Sequence, residues 1–305
     1  MALTLRQLEY FVAIVDEGSF TRAAEALHVT QPGLSHQFQA LEREVGGPLL
    51  ERLPRSVRLT PAGRAMLPHA RAAIAHAQIA ASAARRASGA GTGELYVATL
   101  YSISVGVLPS ALRHWRRDHP ELKIRLVEFR HTDDLSAAMA DGQADVAIGP
   151  TPPAWDGIAH DLGAEEFVVL GPADLDLPGH PPTVKLADLA DREWVHFNPE
   201  SGLSDVLNQA CAAAGFQPRV SVRTEQGTSA GTLAAAGLGL TLVPANIVPP
   251  HFDGLVLRPD PPVTRPLSAY TRARPDPTTA AFIAVAVEKA VLTPPHITRR
   301  LGPVG

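Results

Sequence analysis

The feature that most constrains the fold is a pair of short helical patterns between residues 19 and 45, separated by a tight break. The first pattern begins at Ser19, whose hydroxyl can cap a helix, and continues with small and apolar residues on one side. In the second, Thr30 is the N-cap and Pro32 lies in the first turn, where a missing amide hydrogen costs little. Its apolar residues recur at spacings of four, three and four: Leu34, Phe38, Leu41 and Val45. These spacings predict two helices on a common core.

Hydrogen-bonding side chains occupy the other face of the second helix: Gln31, Ser35, His36 and Gln39. Side chains of this length suit base edges and phosphates near the start of a helix in the major groove of DNA. An ordinary amphipathic hairpin of helices is the alternative interpretation. The preceding apolar stripe, which runs from Leu5 to Val15, favours a helix-turn-helix because it supplies the packing partner that two short helices need.

A short ribbon pattern follows the pair of helices. Gly46, Gly47 and Pro48 end the second helix, and arginines then alternate with apolar residues over 49–60. The arginines of this predicted wing are Arg52, Arg55 and Arg58. Residues 1–64 contain seven arginines and seven acids, so only a local cluster of arginines, and not net charge, indicates contact with a phosphate backbone.

The first sixty residues resemble the LysR-type transcriptional regulators. Several motifs carry the resemblance in the family's order and spacing: Leu5–Phe11, Gly18–Ala24, Gln31–Pro32, Leu41–Glu42 and Leu59–Gly63. The resemblance implies binding to operator DNA by a predicted set of twelve residues. That set is Ser19, Thr21, Arg22, Thr30, Gln31, Pro32, Ser35, His36, Gln39, Arg52, Arg55 and Arg58.

Within that set, two roles are implied by the resemblance. Gln31, Pro32, Ser35 and His36 would face the operator, while Thr21, Arg22 and the wing arginines would hold phosphates. His36 departs from the family, which often has arginine there, and a neutral imidazole reads guanine less well than a bidentate guanidinium.

Length and composition limit the remaining possibilities. A chain of 305 residues predicts two or three domains. We expect a cytoplasmic protein, because the sequence has neither a secretion leader nor an apolar run long enough to cross a membrane. The single cysteine, Cys211, excludes an internal disulfide and a thiolate zinc cluster. We expect no cofactor and no metal.

Residues 61–88 are predicted to form a long alanine-rich helix that links two domains. Leu67, Ile74 and Ala81 repeat every seven residues, which is the seam of a helix that packs on a second copy. The alternative is a lone linker helix. The resemblance favours a homodimer or homotetramer, which also fits a two-fold operator. A flexible hinge is predicted at 89–93, where glycine dominates.

Beyond residue 94 the predicted strands and helices alternate, which indicates parallel sheets covered by helices. This part also resembles the co-inducer domain of the same family, which is similar in fold to periplasmic solute-binding proteins. The matching stretches are Asp141–Gly149, Ala214–Pro218 and Ala235–Leu240 with Pro244. The resemblance implies two α/β lobes, lobe 1 formed by residues 94–163 and 266–305 and lobe 2 by 164–265. The predicted chain is thus an all-α winged helix-turn-helix (1–60), a linker helix, and a two-lobed α/β effector domain.

Ligands in such sheets bind beyond the carboxyl ends of strands. Hydroxyl, cationic and aromatic side chains gather at those junctions, and helix starts favour anions, so we expect a small organic anion as effector. The predicted effector residues are Tyr101, Ser102, Arg130, His131, Thr132, His196, Phe197, Ser201, Ser204, Thr228 and Ser229.

Two other functions are compatible with parts of the sequence. Gly227–Gly231 matches the G-x-S-x-G motif of serine hydrolases between a predicted strand and helix, with Asp253 or Asp276 and then His296 following in hydrolase order. No upstream oxyanion-hole loop accompanies that motif, so we do not expect an enzyme. A transport solute-binding protein would share the two-lobed fold, yet it would leave residues 1–60 unexplained.

Overall fold

The computed structural model describes residues 3–53, 56–87, 93–177 and 182–302, and the chain forms two compact units that divide after Ser82. The predicted hinge at 89–93 and the wing residue Arg55 lie outside the described residues, apart from Gly93. The elements of the first unit are α1 (Leu5–Glu17), α2 (Phe20–Ala26), α3 (Gln31–Glu44), β1 (Leu50–Leu53), β2 (Ser56–Leu59) and the start of α4 (Pro61–Ala87).

The ends of α1 and α3 follow from local chemistry. Thr4 and Gln7 form a reciprocal capping box at the start of α1, and Gly18 ends that helix in the left-handed region at φ 62°. Thr30 Oγ1 accepts from Gly33 N at 3.3 Å, which confirms the predicted cap of α3. Ser19 is the N-cap of α2 by position, but its side chain makes no capping hydrogen bond.

The core of the first unit contains most of the predicted stripe of α3. Leu34, Phe38 and Leu41 are buried, and the Phe38 ring contacts Phe11 of α1 at 6.1 Å between centroids. Val45 was predicted to continue this stripe, and that prediction is wrong because the side chain is 41% exposed. The helix ends at Glu44, so Val45 is no longer turned toward the core.

The wing is a two-stranded antiparallel hairpin of β1 and β2. Thr60 then begins α4, since its hydroxyl accepts from Gly63 N at 3.0 Å and donates to the carbonyl of Pro48 at 2.8 Å. Leu67 and Ile74 are partly buried against the core of the first unit, whereas Ala81 is exposed. Part of the predicted seam of α4 therefore packs within its own chain.

The second unit alternates strands and helices as expected, with several additions. Two helices that meet at Val107 follow the first strand of the unit. A short helix, Pro295–Leu301, is its last element. The bounds are β3 (Gly93–Leu100), α5 (Tyr101–Gly106), α6 (Leu108–Asp118), β4 (Leu122–Phe129), α7 (Thr132–Ala140), β5 (Val146–Gly149), β6 (Ile158–Gly171), β7 (Thr183–Val184), β8 (Glu193–Phe197), α8 (Gly202–Ala213), β9 (Arg219–Thr224), α9 (Gly227–Ala235), β10 (Thr241–Pro244), β11 (Leu255–Pro259), β12 (Thr264–Thr271), α10 (Pro277–Lys289) and α11 (Pro295–Leu301).

The sheets of this unit are mixed, so the expectation of parallel sheets alone is wrong. β3 lies parallel to β4 and β5, and β8 lies parallel to β9. β12 is antiparallel to β5 and β6, and β6 is antiparallel to β10 and β11. The antiparallel pairs arise because β6, a strand of 14 residues, crosses from one lobe to the other and β12 returns beside it.

Two lobes result from this crossing. Lobe 1 contains β3 to β5, α5 to α7, the first half of β6, β12 and α10, and lobe 2 contains the second half of β6, β7 to β11, α8, α9 and α11. The last helix, α11, belongs to lobe 2 because Ile297 and Leu301 are buried in the same cluster as Val256 and Leu257. The division drawn from the sequence assigned these last residues to lobe 1.

Candidate functional site

The exposed face of α3 carries the side chains predicted to contact DNA bases. Pro32, His36 and Gln39 are exposed, and Gln31 and Ser35 are half-buried. Because Leu34, Phe38 and Leu41 fix the opposite face in the core, these polar residues form one row along the helix. The major groove of B-DNA is wide enough to admit an α-helix, so a row of this kind can enter it.

Thr21 and Arg22 lie exposed at the start of α2, close to the end of α1. The Arg22 guanidinium donates to the carbonyl oxygen of Glu17, and its Nε lies 4.0 Å from the Glu17 carboxylate. Arg22 is thus held at the turn between α1 and α2. Its charge there is partly offset by Glu17, which the sequence-based reasoning did not consider.

The wing contains an ion pair that the sequence-based reasoning also missed. Glu51 and Arg58 are directly opposite in the hairpin register, and Oε2 of Glu51 lies 2.5 Å from Nη2 of Arg58. Their separation of seven residues around a short hairpin was the signal that could have revealed the pair. Arg55 and the side chain of Arg52 are not described.

A cavity of about 220 Å³ lies between the two lobes of the second unit. Its wall joins the starts of three helices, α5, α8 and α9, with the end of β4. The residues around it are Leu100, Tyr101, Ser102, Val105, Glu128, Phe129, Arg130, Ser201, Gly202, Leu203, Glu225, Gln226, Gly227, Thr228, Ile247 and Arg265. We refer to this cavity as the interlobe pocket.

Five of the eleven predicted effector residues line the interlobe pocket: Tyr101, Ser102, Arg130, Ser201 and Thr228. They follow strands β3, β4, β8 and β9, where ligands of open α/β sheets bind, and their role as effector contacts stays a prediction. The predicted residues that do not line it are His131, Thr132, His196, Phe197, Ser204 and Ser229.

The structure gives most of these six residues other surroundings. His196 and Phe197 are buried within lobe 2, where His196 Nε2 lies 3.0 Å from Asn208 Oδ1. His131 accepts from Asp133 N at 3.1 Å, which caps α7, and contacts Asp205 at 2.9 Å. Ser204 is also buried, whereas Ser229 is exposed. Position at a strand end was therefore insufficient to predict a residue of the interlobe pocket, because the side chain must also point away from its own lobe.

The charged groups of the interlobe pocket come mostly from residues that the sequence did not single out. Arg130 of lobe 1 and Glu225 of lobe 2 form an ion pair of 3.0 Å at its edge. Arg265 donates through Nε to the buried carboxylate of Glu165 at 2.7 Å. Glu128 accepts a hydrogen bond from Ser104 Oγ. Glu225 is balanced by Arg130, whereas Glu128 adds a negative charge that disfavours the anionic effector expected from hydroxyls and helix starts alone.

The hydrolase-like motif does not assemble a catalytic triad from the residues that were predicted to follow it. Asp276 caps α10, where it accepts from Thr278 N at 2.9 Å. His296 contacts the carbonyl of Val248 through Nε2 at 2.8 Å. Asp276 and His296 are thus engaged in local structure, and the hydrolase and transport alternatives are not supported.

Three further features of the described ranges concern membrane-spanning helices, metal sites and the single cysteine. No helix there is long and apolar enough to cross a membrane, and no group of three or more His, Cys, Asp or Glu side chains is arranged to hold a metal ion. Cys211 is buried, and burial raises the pKa of its thiol to about 12.

Comparisons with known proteins match both parts of the chain. The description "Bacterial regulatory helix-turn-helix protein, lysR family" matches residues 5–64, and "LysR substrate binding domain" matches residues 88–291. The chain is 32% identical over 250 residues to the uncharacterized HTH-type transcriptional regulator YnfL of Escherichia coli (strain K12), covering 81% of this chain and 84% of YnfL. It is 30% identical over 248 residues to HTH-type transcriptional regulator ClcR of Pseudomonas putida, covering 80% and 84%.

Solved structures show the same likeness over nearly the whole chain. The crystal structure of CbnR, a LysR family transcriptional regulator, matches with a TM-score of 0.72 and 28% identity, covering 99% of this chain and 100% of CbnR. Full-length CbnR complexed with its target DNA matches with a TM-score of 0.71 and 28% identity, covering 94% and 99%.

A winged helix-turn-helix followed by two α/β lobes with a pocket between them defines a DNA-binding regulator that responds to a small molecule. The chain belongs to the LysR family of transcriptional regulators. Regulators of this family bind operator DNA and small-molecule effectors and form oligomers, and they are not typically enzymes.

Proposed function

We propose that this regulator recognises operator bases through Gln31, Ser35, His36 and Gln39 and holds phosphates through Thr21, Arg22 and the wing. The observation that carries this proposal is the polar row on α3, which is fixed opposite a fully buried apolar stripe. Binding takes place in the cytoplasm, where operator DNA is accessible. Base contacts supply sequence preference, and phosphate contacts supply affinity that falls with salt.

Fluorescence anisotropy with DNA from upstream of the gene, and with a scrambled duplex, tests this division of roles. Gln31→Ala should reduce the preference between the two duplexes, whereas Gln217→Ala in the second unit is the matched control and should leave the preference unchanged. Arg22→Ala should weaken binding to both duplexes and flatten the salt dependence. Equal losses on both duplexes for Gln31→Ala and Arg22→Ala would contradict the proposal.

We also propose that α4 packs on a second copy of the chain along Leu67, Ile74 and Ala81. Leu67 and Ile74 give only part of their surface to the core of the first unit, and Ala81 is exposed. Ala81→Asp leaves that core untouched and should weaken self-association, measured by sedimentation velocity. Ala65→Asp, at an exposed position on the other side of α4 from this seam, shows whether the effect depends on the seam. Unchanged association of Ala81→Asp would contradict this seam.

The interlobe pocket is the proposed effector site, with Tyr101, Ser102, Arg130, Ser201 and Thr228 among its contacts. The ion pair of Arg130 and Glu225 joins the lobes at the edge of this pocket, so a ligand there contacts groups from both lobes. An effector that binds the closed arrangement more tightly than the open one shifts the population toward closure, and DNA affinity changes with it. Ser102→Ala should reduce effector response without changing DNA affinity in the absence of effector.

A further inference from the structure

The charges around the interlobe pocket indicate which chemical class of effector it accepts, an inference that rests on the proposed effector site. Two arginines line the pocket, and both are already paired with carboxylates. Arg130 is paired with Glu225 at 3.0 Å, and Arg265 donates to Glu165 at 2.7 Å. A ligand carboxylate at either arginine would have to share a guanidinium whose charge already balances a protein carboxylate.

Glu128 is the lining carboxylate left without a cation. Its partner is the neutral hydroxyl of Ser104, and within the described ranges no lysine, arginine or histidine forms an ion pair with it. Each lining arginine is thus paired with one glutamate, Glu225 at the pocket edge or Glu165 behind the wall, and Glu128 is additional to these pairs. The pocket carries one uncompensated negative charge.

Apolar side chains form a large part of the remaining wall, and the cavity is small. Leu100, Val105, Phe129, Leu203 and Ile247 contribute aliphatic or aromatic surface. A volume of about 220 Å³ lies below the range of about 300–1,000 Å³ typical of sites for drug-sized ligands. The pocket thus fits a compact molecule with a short apolar body and one cationic end.

We propose that the effector carries an ammonium group that binds against the carboxylate of Glu128, with its apolar part between Phe129 and Ile247. A simple amine and an amino acid both supply this group. The amino acid adds a carboxylate, which the hydroxyls of Ser102 and Thr228 at the pocket wall can contact. Glu128 sets the preference for amines over carboxylates of equal size.

Calorimetry on the full chain with three probes of one carbon skeleton tests the proposal: 3-methylbutylamine, leucine and 4-methylpentanoate. The wild type should bind at least one amine-bearing probe more tightly than 4-methylpentanoate. Glu128→Gln should weaken that binding by about fivefold or more, since an ion pair at a partly hydrated site is worth about 1 kcal/mol. The matched control, Glu121→Gln, removes another exposed carboxylate, just before β4, and should have no effect.

The three probes also separate the two sources of the ammonium group. Tighter binding of leucine than of 3-methylbutylamine assigns an amino acid, and the reverse assigns an amine without a carboxylate. Tighter binding of 4-methylpentanoate than of both amines would overturn the proposal, as would no binding of either amine at millimolar concentration or equal affinity in Glu128→Gln. Operator binding by the same preparations tests the proposed function separately, because it depends on the first unit.

Discussion

Glu51 and Arg58 face each other across the wing hairpin and form an ion pair of 2.5 Å between Oε2 and Nη2, with 44% and 67% of their side chains exposed. An exposed pair of this kind adds little to stability, typically less than about 1 kcal/mol. Its effect on DNA binding is larger, because a phosphate must compete with Glu51 for the same guanidinium.

Glu51→Gln should therefore tighten DNA binding. The released Arg58 can contact one more phosphate, which steepens the slope of log affinity against log salt by up to about 0.9. Anisotropy titrations at several salt concentrations measure this slope. Glu121→Gln changes the net charge of the chain equally but lies in the second unit, so an equal gain in both variants would show that the pairing in the wing is unimportant.

Gly63 should not tolerate a side chain. It lies in the first turn of α4, where an added Cβ would overlap the carbonyl oxygen of Leu49 and lie 3.0 Å from Leu59 Cδ2. We expect Gly63→Ala to reduce the free energy of unfolding of the first unit by about 1–3 kcal/mol. Gly47→Ala is the matched control, because nothing lies within 4 Å of its added Cβ. Urea unfolding followed by circular dichroism compares the two variants, and equal stability would contradict the close contact between wing and helix.

Arg258 should be essential to the stability of lobe 2. It is buried with Glu166, and it also donates to the carbonyls of Leu301 at 3.0 Å and Gly302 at 2.9 Å. Arg258→Met leaves a buried carboxylate uncompensated, which costs about 3–5 kcal/mol. The double variant Glu166→Gln with Arg258→Met should recover part of that loss, whereas exposed Arg299→Met should cost little. A thermal melt of each variant measures the change in stability. If Arg258→Met were as stable as Arg299→Met, the prediction would be wrong.

Cys211 should be unreactive in the folded protein. Burial raises the pKa of its thiol to about 12, so the reactive thiolate is scarce at pH 7 and at pH 9. The thiol ionises less readily in the folded chain than in the unfolded chain, so its titration changes the free energy of unfolding. The contribution of Cys211 to that free energy is present below about pH 9 and lost as pH rises toward 12. Iodoacetamide should label the native chain slowly at pH 7 and pH 9, and the urea-unfolded chain rapidly. Rapid native labelling that increases over this pH interval would contradict the buried assignment.

Local patterns in the sequence predicted the first unit well. The stripe of Leu34, Phe38 and Leu41 and the cap at Thr30 depend on residues three or four apart, which a helix brings together wherever it lies. Glu51 and Arg58 escaped notice because their contact depends on hairpin register. The exposed Val45 escaped notice because a spacing alone does not show where a helix ends.

The second unit was harder to predict because its strand directions are set by distant pairing. The first half of β6 is exposed at Ile158–Asp161 and its apolar and polar residues do not alternate, so it gave no strand pattern, although it pairs with β12 over a hundred residues away. Likewise, Arg265 reaches the interlobe pocket from β12, far in sequence from the strand ends at which effector residues were predicted. Five pocket residues were found because they directly follow strands. Glu128 and Glu225 were missed because charge alone did not distinguish them from surface acids.

The chain passes from one lobe to the other three times: along β6, between β11 and β12, and between α10 and α11. Three covalent links permit fewer relative orientations than one, so the lobes should bend about a single axis through the crossings instead of turning freely. The carboxyl-terminal helix moves with lobe 2, although the helix before it moves with lobe 1. A fluorophore attached after residue 302 would consequently report the position of lobe 2, and its distance to a second fluorophore on α7 would follow the opening angle directly.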